Sequence, residues 1–158
     1  MINIYCNESL QSLLKSNNIE NYSTAYGGES AGLDLYNTGQ DIIIKPSNEK
    51  ENNNIFIKTG IHLIVPKGYV ALVQERGSIT KTSLKVRAGV IDSGYTGEVF
   101  VNLVNLSNKE KIICEGEKLP VQIVVVKCDN HFNSVSYDEY LNLTNLSQRK
   151  EGKVGSSD

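Results

Sequence analysis

Apolar and polar positions alternate with a short period along most of this chain. "INIYC" (2–6), "DIIIK" (41–45), "NIFIKTGIHLIV" (54–65) and "YVALVQ" (69–74) are short runs rich in β-branched residues, bounded by Gly, Pro, Asn or Asp. That combination predicts strands. In "EVFVNLVN" (98–105), Val99, Val101 and Leu103 share one face, while Phe100, Asn102 and Val104 share the other. "LPVQIVVVK" (119–127) is almost continuously apolar, the pattern of a strand covered on both faces. Helical periodicity is scarce. Its best candidates are "ESLQSLLKS" (8–16) and a short turn near "SITKTSL" (78–84), and no segment sustains a convincing amphipathic helix. Many short strands at close spacing predict an all-β domain, a jelly-roll-like sandwich or a closed barrel.

Two segments break the pattern. "SNEKENNN" (47–54) is a polar loop with no apolar anchor. "SQRKEGKVGSSD" (147–158) has two glycines, three serines and a single apolar residue, Val154. Residues 1–146 therefore read as one β domain and 147–158 as a flexible C-terminal arm. Either the arm is a frayed terminus or it closes over a ligand, offering backbone N–H groups, hydroxyls and the charges of Arg149 and Lys153 to phosphate oxygens.

A length of 158 residues suits one domain able to bury a core without disulfides or metals. The formal net charge of −2 supplies no general attraction for nucleic acid or an anionic membrane. Neither is expected as a partner, and no apolar run is long enough to span a bilayer. Cys6, Cys114 and Cys128 have no metal-like spacing. With no apolar leader, they predict reduced thiols in a cytoplasmic protein. His62 and His131 are too far apart in sequence to suggest a zinc or catalytic pair.

Five stretches place isolated polar residues where plain strands and turns do not need them. "AGLDL" (31–35) sets Asp34 between apolar residues at the start of a strand. "QERGSITK" (74–81) ends a strand with Arg76-Gly77-Ser78, a corner where a guanidinium, N–H groups and a hydroxyl can converge on an anion. Glu75 and Asp34 are the candidate ion-pair partners of Arg76. "AGVIDSGYTGE" (88–98) holds Asp92 and Tyr95 on a glycine-bracketed bend, "GEKLPVQ" (116–122) puts Gln122 in an apolar strand, and "GKVGSS" (152–157) lies in the tail.

In this order, the five stretches resemble the five motifs of the trimeric deoxyuridine triphosphate nucleotidohydrolases (dUTPases). The first and third match well: Ala31-Gly32-Leu33-Asp34-Leu35, and Gly89-Val90-Ile91-Asp92-Ser93-Gly94-Tyr95-Thr96-Gly97. The second has Glu75 in place of the family's proline and Gly77 in place of its first serine. In the fourth, Gln122 falls one residue late counted from Gly116, an excess that a bulge at Pro120 would absorb. The fifth has Lys153 and Val154 where glycine and a base-stacking phenylalanine are usual.

The resemblance implies hydrolysis of dUTP to dUMP and pyrophosphate by a homotrimer with shared active sites. It assigns the attacking water to Asp92, the deoxyribose to Tyr95, and the uracil edge to the backbone from Val86 through Gly89, Val90 and Ile91. Phe100 falls where an apolar contact to the base is expected. Arg76, Gly77 and Ser78 would meet the α- and β-phosphates, with Gln122 as a further donor and Asp34 supporting them. Arg149, Val154, Gly155, Ser156 and Ser157 would close over the γ-phosphate and the base. Mg²⁺ is implied as cofactor, held by the triphosphate and waters rather than directly by protein ligands. The dCTP deaminases share this fold, but aligning Gly97 and Asn105 with their pattern puts Asn102 at the catalytic glutamate, and an amide cannot act as that base. A nucleotide-gated regulatory protein, acting on a protein partner, is the reading from another class.

Deleting residues 149–158 is expected to leave the melting temperature nearly unchanged, because the segment carries almost nothing that a core could hold. dUTP turnover should fall sharply. Thermal melts and pyrophosphate release on the truncated chain check both.

Overall fold

The alternating strands build two antiparallel four-stranded sheets around one core. In the computed structural model, which describes residues 2–48, 53–129 and 131–144, the chain runs β1 (Asn3–Cys6), α1 (Glu8–Ser16), β2 (Gly32–Tyr36), β3 (Ile42–Ile44), β4 (Asn54–Ile64), β5 (Tyr69–Glu75), β6 (Leu84–Val86), β7 (Val90–Ile91), β8 (Glu98–Asn105), β9 (Lys111–Ile113), β10 (Lys118–Lys127) and α2 (Tyr137–Thr144). One sheet has the order β1-β4-β8-β6 and the other β2-β10-β5-β7, while β3 and β9 form a separate pair. The inward residues of β4 and β8 (Ile57, Ile61, Val99, Val101, Leu103) meet those of β2, β5 and β10 (Leu35, Ala71, Val73, Val121, Ile123) in one buried cluster. This is the all-β, jelly-roll-like arrangement that the strand pattern predicts.

The expected 8–16 helix forms as α1. Asn7 caps it, its side-chain oxygen accepting from the Leu10 N–H at 3.0 Å, and Leu10 and Leu14 face the core. The turn expected near 78–84 is a 3₁₀ turn over Gly77–Lys81, followed by β6. Asp34, expected at a strand start, sits in the middle of β2.

Two expectations change. β10 is covered on one face only: Leu119, Val121 and Ile123 are buried, whereas Val126 is 38% exposed and Val124 and Val125 are intermediate. Its second apolar face is only partly covered by the described residues. The helix α2 is not foreshadowed by periodicity, because eight residues rich in Tyr, Asn and Thr carry little helix propensity. The signal that could have found it is Ser136-x-x-Glu139, a capping-box pattern in which Ser136 Oγ accepts from the Glu139 N–H at 3.2 Å. Residues 49–52 of the polar loop and the whole 147–158 arm lie outside the described residues. The three cysteines are free, and burial raises the pKa of the Cys6 thiol. No helix of the described residues is long and apolar enough to cross a membrane.

Asn105 closes β8 without exposure to solvent. Its amide donates to the carbonyls of Ile44 at 2.9 Å and Lys109 at 2.7 Å, and its oxygen accepts from the N–H and hydroxyl of Ser107. Asn105→Ala would strand these buried groups and should cost about 2–4 kcal/mol, read as a lower midpoint in urea unfolding.

Candidate active site

The connection from β6 to β7 crosses from one sheet to the other and turns through Arg87-Ala88-Gly89, with Ala88 at φ 61° and Gly89 at φ 118°. Its backbone is tied to both sheets. The Arg87 N–H donates to Asn102 O at 2.9 Å, and Gly89 O accepts from the Val73 N–H at 2.8 Å. A Cβ at position 89 would stand 2.9 Å from Val73 O, so this close crossing admits only glycine. β7 then pairs with β5, Ile91 opposite Ala71 and Val90 opposite Leu72.

Past Ile91 the chain bends, with the Tyr95 N–H donating to Asp92 O at 3.0 Å. The Tyr95 ring folds forward so that its hydroxyl donates to Glu98 O at 2.7 Å. Gly97 lies beneath that ring, and a Cβ there would stand 2.5 Å from the tyrosine hydroxyl. The glycine therefore makes room for the folded ring. Asp92, Tyr95, Phe100 and the segment Gly89–Ile91 all line one cavity of about 280 Å³. That is close to the smallest size usual for small-molecule sites, about 300 Å³. Phe56, Ala88 and Glu98 line it as well; Ala88 belongs to the backbone expected to read the base, whereas Phe56 did not stand out in the sequence. Phe56 reaches it because β4 lies beside β8, where Phe56 pairs with Asn102 and Lys58 with Phe100. Such long-range pairing leaves no local signature. Val86 is not among the lining residues. It packs half-buried against the core, and its N–H donates to Glu75 Oε1 at 3.3 Å. Asn102 is also outside the lining, its side-chain oxygen accepting from Asn54 Nδ2 at 3.3 Å.

A second polar cluster forms where β2, β10 and β5 run side by side. Lys118 pairs with Tyr36, but four residues later Gln122 pairs with Asp34, only two residues back along β2. The irregularity between Lys118 and Gln122 thus absorbs two extra residues of β10, where a single one was expected at Pro120, and sets Gln122 opposite Asp34. Pro120 O accepts from the Arg76 N–H at 3.0 Å. Arg76 Nε is 2.8 Å from Asp34 Oδ1, and Lys118 Nζ is 2.9 Å from Asp34 Oδ2. Arg76 therefore pairs with Asp34, while Glu75 turns to Val86. The buried Tyr22 hydroxyl donates to Asp34 O, and burial pushes its pKa far above the ordinary tyrosine value. Gln122 Nε2 lies 3.4 Å from Glu75 O, and Gly32 gives the Gln122 side chain its space: a Cβ at Gly32 would stand 2.1 Å from its oxygen. Gly77 and Ser78 open the exposed 3₁₀ turn that follows Arg76, and nothing lies within 4 Å of a Cβ built on Gly77. Lys118 was missed in the sequence, yet it supplies the second cation on Asp34.

The two clusters do not meet within one chain. Asp92 follows the residue paired with Ala71, and Arg76 lies five residues further along the same strand. At about 3.3 Å per residue the separation is roughly 17 Å. Arg149, Val154, Gly155, Ser156 and Ser157 lie outside the described residues. Among the described residues no three His, Cys, Asp or Glu side chains gather as a metal shell.

The hydrogen bond from Lys118 to Asp34 is the chief cause that raises the Lys118 pKa above the ordinary lysine value. A raised folded-state pKa gives stability that is present below the unfolded-state value and lost as pH rises through the folded one. Asp34→Asn should bring the Lys118 titration down toward an ordinary lysine and remove that alkaline loss, as followed by NMR of the Lys118 side chain.

Comparison with known proteins agrees with this geometry. The dUTPase family model matches residues 19–158. A deoxyuridine 5′-triphosphate nucleotidohydrolase of Dictyoglomus turgidum is 35% identical over 142 residues, covering 88% of this chain and 89% of that protein. The fowlpox virus enzyme of the same name is 33% identical over 120 residues, covering 75% of this chain and 73% of its own. Among solved structures, the Staphylococcus bacteriophage 80alpha dUTPase with dUpNHpp superposes with a TM-score of 0.71 at 19% identity, covering 100% of this chain and 98% of the phage protein. With the family model spanning both clusters and the curated relatives above 30% identity, the chain belongs to the dUTPase family.

Proposed function

We propose that the chain hydrolyses dUTP to dUMP and pyrophosphate with Asp92 holding and deprotonating the attacking water. The observation that carries this reading is the single turn that presents Asp92 and Tyr95 at the cavity lined by Phe100 and the backbone of Gly89–Ile91. Phosphoryl transfer depends mostly on positioning and charge stabilisation, and one base orienting the nucleophile is the part a lone carboxylate can supply. The Tyr95 ring, held by its hydroxyl to Glu98 O, lies against the sugar and leaves no room for a 2′-hydroxyl. The backbone of Gly89–Ile91 faces the uracil edge, since main-chain donors and acceptors in a segment tied to both sheets cannot rotate away. Phe100, with Phe56 beside it, packs against the base.

Arg76, Gly77, Ser78 and Gln122 receive the α- and β-phosphates. Asp34 orients the Arg76 guanidinium, and Lys118 keeps Asp34 neutralised when Arg76 turns to phosphate. Arg149, Val154, Gly155, Ser156 and Ser157 complete the γ-phosphate end. The hard carboxylate oxygens at the site, with no assembled metal shell, fit a Mg²⁺ carried in on the triphosphate. Bound there, it would neutralise phosphate charge.

The roughly 17 Å between Asp92 and Arg76 within one chain supports a homotrimer in which each site joins the two clusters from different subunits. The partly covered face of β10 and the exposed Phe56 and Ile64, each 63% accessible, supply apolar surface for such contacts.

Asp92→Asn should keep dUTP affinity and lower turnover by about 10²-fold or more. Tyr95→Ala should raise UTP hydrolysis relative to dUTP, read as the ratio of kcat/KM values. Pyrophosphate release across the deoxynucleoside triphosphates is the direct assay. Near-normal turnover in Asp92→Asn would remove Asp92 from the mechanism, deamination of dCTP would favour the sister activity, and dUTP binding without turnover would favour a regulatory role.

A further inference from the structure

The Asp92–Tyr95 turn is tied to the inner strands β4 and β8 of the other sheet, chiefly through Glu98. β4 departs from regular pairing between Lys58 and His62. Lys58 pairs with Phe100 and His62 with Glu98, so four residues of β4 span two of β8. The two extra residues form a bulge centred on Gly60, at φ 70°. Four hydrogen bonds hold this bulge. Thr59 Oγ1 donates to Val99 O at 2.5 Å, and the Ile61 N–H donates back to Thr59 Oγ1 at 3.3 Å. Gly60 O accepts from the Asn7 N–H, at the cap of α1, at 2.8 Å. The Gly60 N–H donates to Glu98 Oε1 at 2.9 Å. No side chain fits on Gly60, since a Cβ would stand 2.5 Å from Asn7 Oδ1 and 2.8 Å from Leu10 Cβ.

Glu98 therefore works in two directions. Its carboxylate fastens the β4 bulge, and its main-chain carbonyl receives the Tyr95 hydroxyl at 2.7 Å. His62 adds a parallel tie, its Nδ1 lying 3.1 Å from Thr96 O on the same turn, with the Tyr5 ring 5.5 Å from its own. A turn anchored only by its own short-range bonds would let the Tyr95 ring, 43% exposed, swing away from the cavity. The bulge binds that turn to α1 and β4, which are among the parts of the molecule with buried partners.

We infer that Glu98 is a positioning residue for sugar discrimination: by locking its own backbone to the Gly60 bulge it fixes the carbonyl that holds the Tyr95 ring against the 2′ position. The inference rests on the dUTPase reading of the site and adds to it a determinant of specificity outside the five motif positions assigned above. Glu98 also lines the cavity. A rival role, as a second acid or base acting on the substrate, must therefore be told apart from positioning.

Glu98→Gln keeps an acceptor for the Gly60 N–H and removes the charge, whereas Glu98→Ala leaves that N–H without its partner. Both variants and the wild-type chain are compared by kcat and KM on dUTP and UTP, with thermal melts alongside. The expected result is that Glu98→Gln keeps turnover and the dUTP:UTP preference within about twofold. Glu98→Ala should lose about tenfold in that preference, chiefly through a higher KM for dUTP, with Tyr95→Ala adding little when combined with it. Loss of turnover in Glu98→Gln as deep as in Asp92→Asn would make Glu98 an acid or base and overturn the inference. A lower melting temperature in Glu98→Ala with an unchanged preference would reduce it to a structural bond and also overturn it. If the wild-type chain turned over no dUTP, the functional reading would fall separately. Amide hydrogen exchange in the same variants would then still decide the link. Faster exchange at both Gly60 and Tyr95 in Glu98→Ala, restored in Glu98→Gln, supports it, and unchanged exchange at Tyr95 overturns it.

Discussion

The reach of β5 is the constraint on which the rest depends. At one end the strand pairs with β7 and thereby sets the Asp92–Tyr95 turn; at the other it delivers Arg76 to Asp34 and Gln122. An extended strand cannot fold back on itself, so residues close to a shared strand in sequence are driven far apart in space. Polar groups that a sequence suggests for one site are split into an apolar cavity with a carboxylate and a cationic corner built around one aspartate. The two differ in chemistry, one apolar with a carboxylate and the other cationic.

Both half-sites are set by backbone rather than by side-chain packing. Three glycines mark where atoms cross too closely for any other residue: Gly89 over Val73, Gly97 beneath Tyr95 and Gly32 beside Gln122. Two bulges adjust the register. The one at Pro120 brings Gln122 opposite Asp34, and the one at Gly60 reaches Glu98. A bulge shifts the phase of a strand by a fixed amount without disturbing the pairing beyond it, so it can aim a single side chain while the core stays in step. The buried residues of β4, β8 and β10 keep their alternation on either side of these interruptions.

Electrostatics divides along the same line. Asp34 carries Arg76 on one oxygen and Lys118 on the other, so the cationic corner has an excess of one positive charge before any phosphate arrives. The cavity end carries Asp92 and Glu98, of which Glu98 is already occupied by a main-chain N–H. The two clusters therefore present opposite signs of charge, and on the proposed reading that difference would orient a triphosphate before any closing segment is considered.

What the sequence by itself determined is what local chemistry encodes. Period-two alternation with β-branched residues marked the long strands to within a residue or so, and "ESLQSLLKS" marked α1. Isolated polar residues inside apolar runs marked Asp34, Arg76, Asp92, Tyr95 and Gln122, because a residue of that kind in a strand needs a reason to be there. The count from Gly116 to Gln122, set against the family motif, pointed to a bulge in this stretch, although the register there absorbs two surplus residues rather than one. Tertiary structure alone decided which of these residues meet. Phe56, Glu98 and Lys118 reach the clusters through pairings with strands distant in sequence, and nothing in their own neighbourhood announces it. The same holds for β10, whose continuous apolar run reads as buried on both faces although the described residues bury only one. Hydrophobic pattern reports that a face must leave water; whether its own chain or another copy covers it is set by how far the sheet extends, which no local window contains.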